Sequence, residues 1–167
     1  MIPEGGRRAK HASPLRFVAD AMLGRLAKWL RMLGYDVEFM PDVPDIDILR
    51  RARAESRLLL TRDTALARRA GSLGVLLHHQ ELKAQLRELA ERGLITGPRP
   101  ETRCPLCNVP LRPVPKETVV DRVPPYVYQT QDAFYECPRC HRIYWAGTHW
   151  QHVQATWREL GWHEDDI

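Results

Sequence analysis

Two short segments, CPLC at 104–107 and CPRC at 137–140, constrain this 167-residue chain more than anything else in it. Each holds two cysteines three positions apart around a proline, and 29 residues separate the pairs. A two-residue gap lets both thiolates of such a turn face one ion, and two turns supply the four soft ligands of a tetrahedral zinc site. Disulfides are the alternative, and in a reducing compartment they do not persist. With four thiolates, from Cys104, Cys107, Cys137 and Cys140, the coordination sphere is closed, so the expected Zn2+ is structural and not catalytic. His141 and His149 stand nearby as spare donors. The loop between the pairs exceeds the ~15–20 residues usual for such sites. Of the short β-type runs in this part of the chain, TVV, YVY, FYE and IYW, those within the loop can absorb the excess as hairpins.

A unit spanning 101–167 holds too little apolar mass to fold securely alone, so metal binding should supply much of its stability. Its aromatic residues Tyr126, Tyr128, Tyr135, Tyr144, Trp145 and Trp150 are read as its core in preference to platforms for nucleotides. Upstream the pattern is different. From Leu15, short apolar runs alternate with amphipathic stretches. They are a strand at LRFVA, a helix from Asp20 to Leu33 closed by Gly34, a strand at YDVEFM and a helix from about Asp45 to Glu55. A strand at RLLLT, a helix from Asp63 to Ala70, a strand from Gly74 to His78 and a helix from Glu81 to Arg92 follow. Leu23, Leu26, Leu30 and Leu33 share one helical face. Strands separated by helices demand parallel pairing through right-handed crossovers. The expected first unit is thus an α/β sandwich over 15–97. Gly97, Pro98 and Pro100 mark a linker, which places a boundary near residue 98.

Asp20, Asp45 and Asp63 each fall at the end of a predicted strand or in the loop just past it. In a parallel sheet the carboxyl ends of all strands lie along one edge, where ligand sites gather. Three carboxylates there repel one another unless a cation lies between them, and oxygen ligands suit Mg2+ or Mn2+. Such ions activate water and stabilise charge in phosphodiester hydrolysis. Aspartate is also a preferred N-cap, and all three positions precede helices. Asp47 is either a fourth carboxylate or a first-turn residue complementing the helix dipole, while Asp36 and Asp42 read as exposed turn or strand positions. Arg25, Lys28 and Arg31 on the first helix, and Arg62 beside Asp63, are candidates to hold phosphates of a nucleic-acid strand. The bland reading of the helical three is a solvated face.

Charge is uneven: residues 1–100 carry 18 Lys and Arg against 12 Asp and Glu, whereas 101–167 carry 7 against 9. The basic first part suits a polyanionic partner. Residues 1–14 are expected to form a disordered basic tail. No run reaches the ~18–20 apolar residues of a membrane helix, and no secretory signal is apparent, so the chain is read as cytoplasmic.

The segments FVADAMLGRLAKWLRMLGYDV, DIDILRRARAESRLLLTRD, CPLC, DRVPPYVY and CPRCHRIYWAGTHW, from about Leu15 to Trp150, resemble the family named for the C-terminal region of the Mut-seven exonucleases. The resemblance implies a PIN-like three-layer sandwich with a parallel sheet over 15–97, followed by a small β-rich zinc ribbon over 101–167. It further implies a ribonuclease that binds Mg2+ or Mn2+ through Asp20, Asp45 and Asp63, beside which the basic residues Arg25, Lys28 and Arg62 named above are the candidates to hold RNA. Endonucleolytic cleavage is expected in preference to exonucleolytic, and tRNA or the ribosome are candidate partners. The alternative is a non-catalytic RNA- or ribosome-binding adaptor with the same fold.

Overall fold

The computed structural model describes residues 15–162, except for the side chains of residues 148–150. The expected basic tail at 1–14 and the side chains of His149 and Trp150 lie outside what is described. Four parallel strands form the main sheet: β1 (Phe17–Ala19), β2 (Val37–Phe39), β3 (Leu58–Thr61) and β4 (Gly74–Leu76), in the order β2-β1-β3-β4. Phe17 pairs with Val37 on one side and with Leu58 on the other, and Leu60 pairs with Val75. The helices are α1 (Gly24–Met32), α2 (Asp45–Glu55), α3 (Thr64–Ala70) and α4 (Leu82–Glu91).

The two-residue period of a strand sends alternate side chains to opposite faces. Phe17, Ala19 and Leu60 join Leu26 and Leu30 of α1 and Leu86 and Leu89 of α4 in one buried cluster. Val18 and Leu59 join Ile48 and Leu49 of α2 and Leu66 of α3 in another. Two cores, one on each face, are what make the architecture three-layered. The helix predicted from Asp20 opens with a 3-10 turn at Ala21–Leu23, which Asp20 caps, before α1 begins.

The second sheet is small and antiparallel: β5 (Arg112–Val114), β6 (Phe134–Glu136) and β7 (Ile143–Tyr144). Of the four β-type runs, FYE and the start of IYW are strands, but TVV and YVY are not. The first lies in a 3-10 turn at Lys116–Val119 and the second in a helix, α5 (Pro125–Thr130). Pro125 at the first turn of α5 has the φ a helix needs and lacks an N–H that would be unpaired there anyway. Val119, Val123 and Val127, four residues apart, pack with Phe134 as the core of this region.

A further helix that the sequence reading lacked, α6 (Thr148–Glu159), returns to the main sheet. Its Val153 and Trp157, 0% and 5% exposed, belong to the buried cluster of Phe17, Leu26 and Leu86. The chain between the two sheets lies against the end of α1: Arg99 N donates to Leu33 O at 2.7 Å, and Tyr35 Oη to Gly97 O at 2.7 Å. Gly34, with φ +95°, makes that approach possible, since a Cβ there would sit 2.6 Å from both Arg99 Cβ and Glu101 O. Among the described residues no helix is long and apolar enough to cross a membrane.

Candidate functional site

The two Cys-Pro-x-Cys turns close in the same way. Asn108 N donates to Cys104 O at 2.8 Å and His141 N to Cys137 O at 2.9 Å, and both residues are left-handed, with φ 63°. Asn tolerates that conformation better than most side chains. The sulfurs of Cys104, Cys107, Cys137 and Cys140 all lie within 4.8 Å of one another. Four ligands at the usual Zn–S length of ~2.3 Å stand ~3.8 Å apart in a tetrahedron, and Cys104 Sγ and Cys140 Sγ are separated by 3.8 Å. Cys137 Sγ accepts from the amides of Arg139 and Cys140, both at 3.4 Å, which suits a thiolate. Burial, with sulfur hydrogen bonds to Cys140 and Cys137, pushes the Cys107 thiol up to about 12. Four sulfurs this close share negative charge only around a cation. The cluster is therefore suited to one soft divalent ion such as zinc. His141 stands outside this cluster, with its Nδ1 3.2 Å from Glu136 Oε1.

The first of these turns is docked on the edge of the main sheet. Asn108 Oδ1 accepts from Val37 N at 3.0 Å, and Asn108 Nδ2 donates to Asp36 Oδ1 at 2.7 Å. Arg31 donates to Val37 O at 2.9 Å and Pro105 O at 2.8 Å. Arg31 is thus a buried brace and not a solvated cation, and Asp36 is no exposed turn residue. Buried Arg57 reaches Asp36 Oδ1 at 2.8 Å, Glu55 at 3.1 Å and Phe17 O at 3.0 Å. Against burial, which would raise it, the hydrogen bonds from Arg57 and Asn108 hold the Asp36 carboxyl below its ordinary range. The signal for this junction was present as an Asn directly after a cysteine turn, but its partner could only be found in space.

The sheet places Asp20 directly after β1 and Asp63 two residues after β3, and those strands are neighbours. Thr61, fully buried, links them: its hydroxyl donates to Asp20 Oδ2 and accepts from Asp63 N at 3.0 Å. Asp20 Oδ1 takes the amide of Met22 at 3.1 Å, while Asp63 Oδ1 takes those of Ala65 and Leu66 at 2.8 and 3.1 Å. Both aspartates are N-caps as well. Thr61 was missed from sequence, although it stands two residues before Asp63. Asp45 opens α2 with a half-exposed side chain, 4.0 Å from Arg69, and Asp47 pairs with Arg50 at 3.5 Å. Among the described residues, only the cysteines bring three or more such ligand atoms within 4.8 Å of one another.

The basic candidates divide. Arg62 follows Thr61, and its Nε is buried without a hydrogen-bond partner. Arg25 and Lys28 are exposed on α1 and line a cleft of about 810 Å³ between that helix and the small sheet; none of Asp20, Asp45 and Asp63 lines it.

Comparisons with curated proteins and with solved structures give no significant match. The family model described as the Mut7-C RNAse domain matches residues 15–157, a span that takes in the parallel sheet, Asp20, Thr61, Asp63, all four cysteines and most of α6. With its parallel sheet joined to a four-cysteine unit along that whole span, the chain belongs to the Mut7-C RNAse domain family.

Proposed function

We propose that this protein is a metal-dependent ribonuclease that cuts RNA internally at the carboxyl edge of the parallel sheet, with zinc held by the four cysteines as a structural ion. The observation that carries the reading is the Asp20–Thr61–Asp63 linkage at the ends of two adjacent strands, at the edge where parallel sheets gather their ligands. The donors there are all oxygen, which suits Mg2+ or Mn2+, and Asp20, Asp45 and Asp63 would hold the ion. When bound, it would polarise a phosphodiester and lower the pKa of a water.

The chain's own groups set up that chemistry. Thr61 and the Met22 amide fix the rotamer of Asp20. Two amides engage Asp63 Oδ1, and its Oδ2 has no hydrogen-bond partner among the described residues, so it is available to a cation. Arg62, Arg25 and Lys28 would hold backbone phosphates, with tRNA and ribosomal RNA as candidate substrates in a cytoplasmic setting. Cleavage of a panel of RNAs with Mg2+ or Mn2+ tests the proposal. Asp20→Asn and Asp63→Asn should each lower the rate by on the order of 100-fold or more. Parent-like rates in both variants, or no cleavage at all, would sink it.

A second reading is an RNA-binding adaptor without turnover. It is favoured by the separation of the three carboxylates, each engaged as a cap or beside an arginine. For the adaptor, RNA binding persists when the aspartates are neutralised, and it weakens with salt through lost phosphate contacts.

A further inference from the structure

The cleft between α1 and the small sheet is not needed to explain either metal site. Arg25, Lys28 and Trp29 come from α1, Arg103 and Leu106 from the first cysteine turn and its approach, and Tyr126 and Gln131 from α5 and its end. Tyr144, Trp145 and Gly147 close the far wall. Its volume, about 810 Å³, falls in the ~300–1,000 Å³ range in which proteins hold organic ligands. No Asp or Glu is among its described lining residues, whereas Arg25, Lys28 and Arg103 are. Arg25 and Lys28 have no ion-pair partner among the described residues.

Two of its apolar groups face solvent without cover. Tyr126 is 68% exposed and Leu106 is 49% exposed. Tyr126 stands apart from the local core, whose partly buried aromatic members are Tyr128 and Trp145. An exposed ring beside unpaired cations is the combination that holds single-stranded nucleic acid, with bases stacked on aromatic faces and phosphates on the basic side. Duplex RNA offers no unstacked base for such a ring.

We propose that this cleft binds the bases of a single-stranded RNA segment, with Tyr126 as a stacking platform and Arg25 and Lys28 on its phosphates. The proposal rests on RNA being the substrate, not on cleavage. Arg25 follows Asp20 by five residues, at the start of the helix whose approach Asp20 caps. A strand held along α1 therefore runs from the aspartate edge into the cleft. The four cysteines hold the wall opposite α1, which ties the zinc centre to substrate grip.

The test is fluorescence anisotropy of the full-length, zinc-loaded protein in an Asp20→Asn background, which keeps the RNA intact. The probes are a labelled single strand of about ten nucleotides, its duplex, and an abasic strand of equal length. Tyr126→Ala should weaken the base-bearing strand about tenfold and leave the abasic strand unchanged, while Tyr126→Phe binds as the parent does. Lys28→Ala should weaken both strands and lower the salt slope by about one. No binding of the single strand, parent-like binding by Tyr126→Ala, or an equal loss for the abasic strand would each overturn the proposal. Displacement of the RNA by oligoglutamate at equal charge concentration would point to an acidic peptide and overturn it too. If Asp63→Asn abolishes cleavage while Tyr126→Ala binds normally, the cleft proposal fails and the ribonuclease stands. If the parent binds through Tyr126 but cuts nothing, the reverse holds.

Discussion

The cysteine centre and the aspartate edge answer the same problem, like charges brought together, in opposite ways. Four sulfurs converge within 4.8 Å, two of the cysteines are fully buried, and backbone amides point at Cys137. The aspartates do not converge on one point: Asp20 and Asp63 are linked through the Thr61 hydroxyl and take amides from their own helix starts, and Asp45 lies beside Arg69. A closed site of soft ligands would be part of the fold once its ion is bound, because four clustered thiolates share their charge only with a cation. An open site of hard ligands, as proposed for the aspartates, would have to remain stable before ion and substrate arrive, which carboxylates with local partners would do. The contrast separates an ion that would hold structure from one that would come with the reaction.

The comparison breaks most visibly at the cysteines. Cys137→Ser, or a strong chelator, should release one zinc per chain and strip hydrogen-exchange protection from β5, β6 and β7 while β1 and β3 keep theirs. Zinc-dependent folding of this kind is worth ~10–16 kcal/mol in isolated peptides. If the small sheet stayed protected without metal, the structural role would be wrong. Next in size is the junction between the regions. Gly34→Ala puts a Cβ 2.6 Å from Arg99 Cβ and Glu101 O at φ +95°, and should cost about 3 kcal/mol in urea unfolding. Asn108→Gly keeps the left-handed backbone but loses the bonds to Val37 and Asp36, for about 2 kcal/mol. Asn108→Ala should cost more, since it adds strain at φ 63°.

Acid should loosen the same junction. The Asp36 carboxyl is held below its ordinary 3.8 in the folded protein, so its contribution is fully present above that value. It is lost as pH falls through the lower folded one. Melting temperature followed from pH 7 down to 3 should drop less in Asp36→Asn than in the parent. The smallest effect sharpens the contrast from the other end. Asp63→Asn should change stability by no more than ~0.5 kcal/mol, because Asn caps a helix as well as Asp, yet cleavage should collapse. A large loss of stability there would make Asp63 a structural residue.

The alternation of apolar runs and amphipathic stretches displayed the parallel sheet and its four helices, since strand and helix periods differ and both cores lie on neighbouring elements. The antiparallel region was harder to read. Val119, Val123 and Val127 follow a four-residue stride, but Pro124 and Pro125 interrupt it and its β-branched residues resemble strand. The buried face of α6, Val153 and Trp157, packs on a core built from residues between Phe17 and Ile95, so its local pattern carried no hint of a partner. At the candidate sites, the four clustering residues were legible at the cysteines, and the places of Asp20 and Asp63 just after two strands were legible in the alternation, whereas Asp45 opens a helix six residues past β2. Thr61, Asn108 and Arg57 were not, because each acts through a residue distant in sequence.

Sequence alone determined which groups this protein carries and their local order: four thiols in two matched turns, aspartates after predicted strands, and a parallel alternation that brings strand ends to one edge. Those properties depend on residue type and short spacing, which the chain carries wherever it goes. Tertiary structure decided everything that depends on distance between remote segments. It seated the first cysteine turn on Val37 and Asp36, joined Asp20 to Asp63 through Thr61, returned α6 to the first core, and opened a basic, aromatic cleft beside α1. Packing and hydrogen bonding act within a few ångströms in space, and no local pattern records which distant residues will come that close.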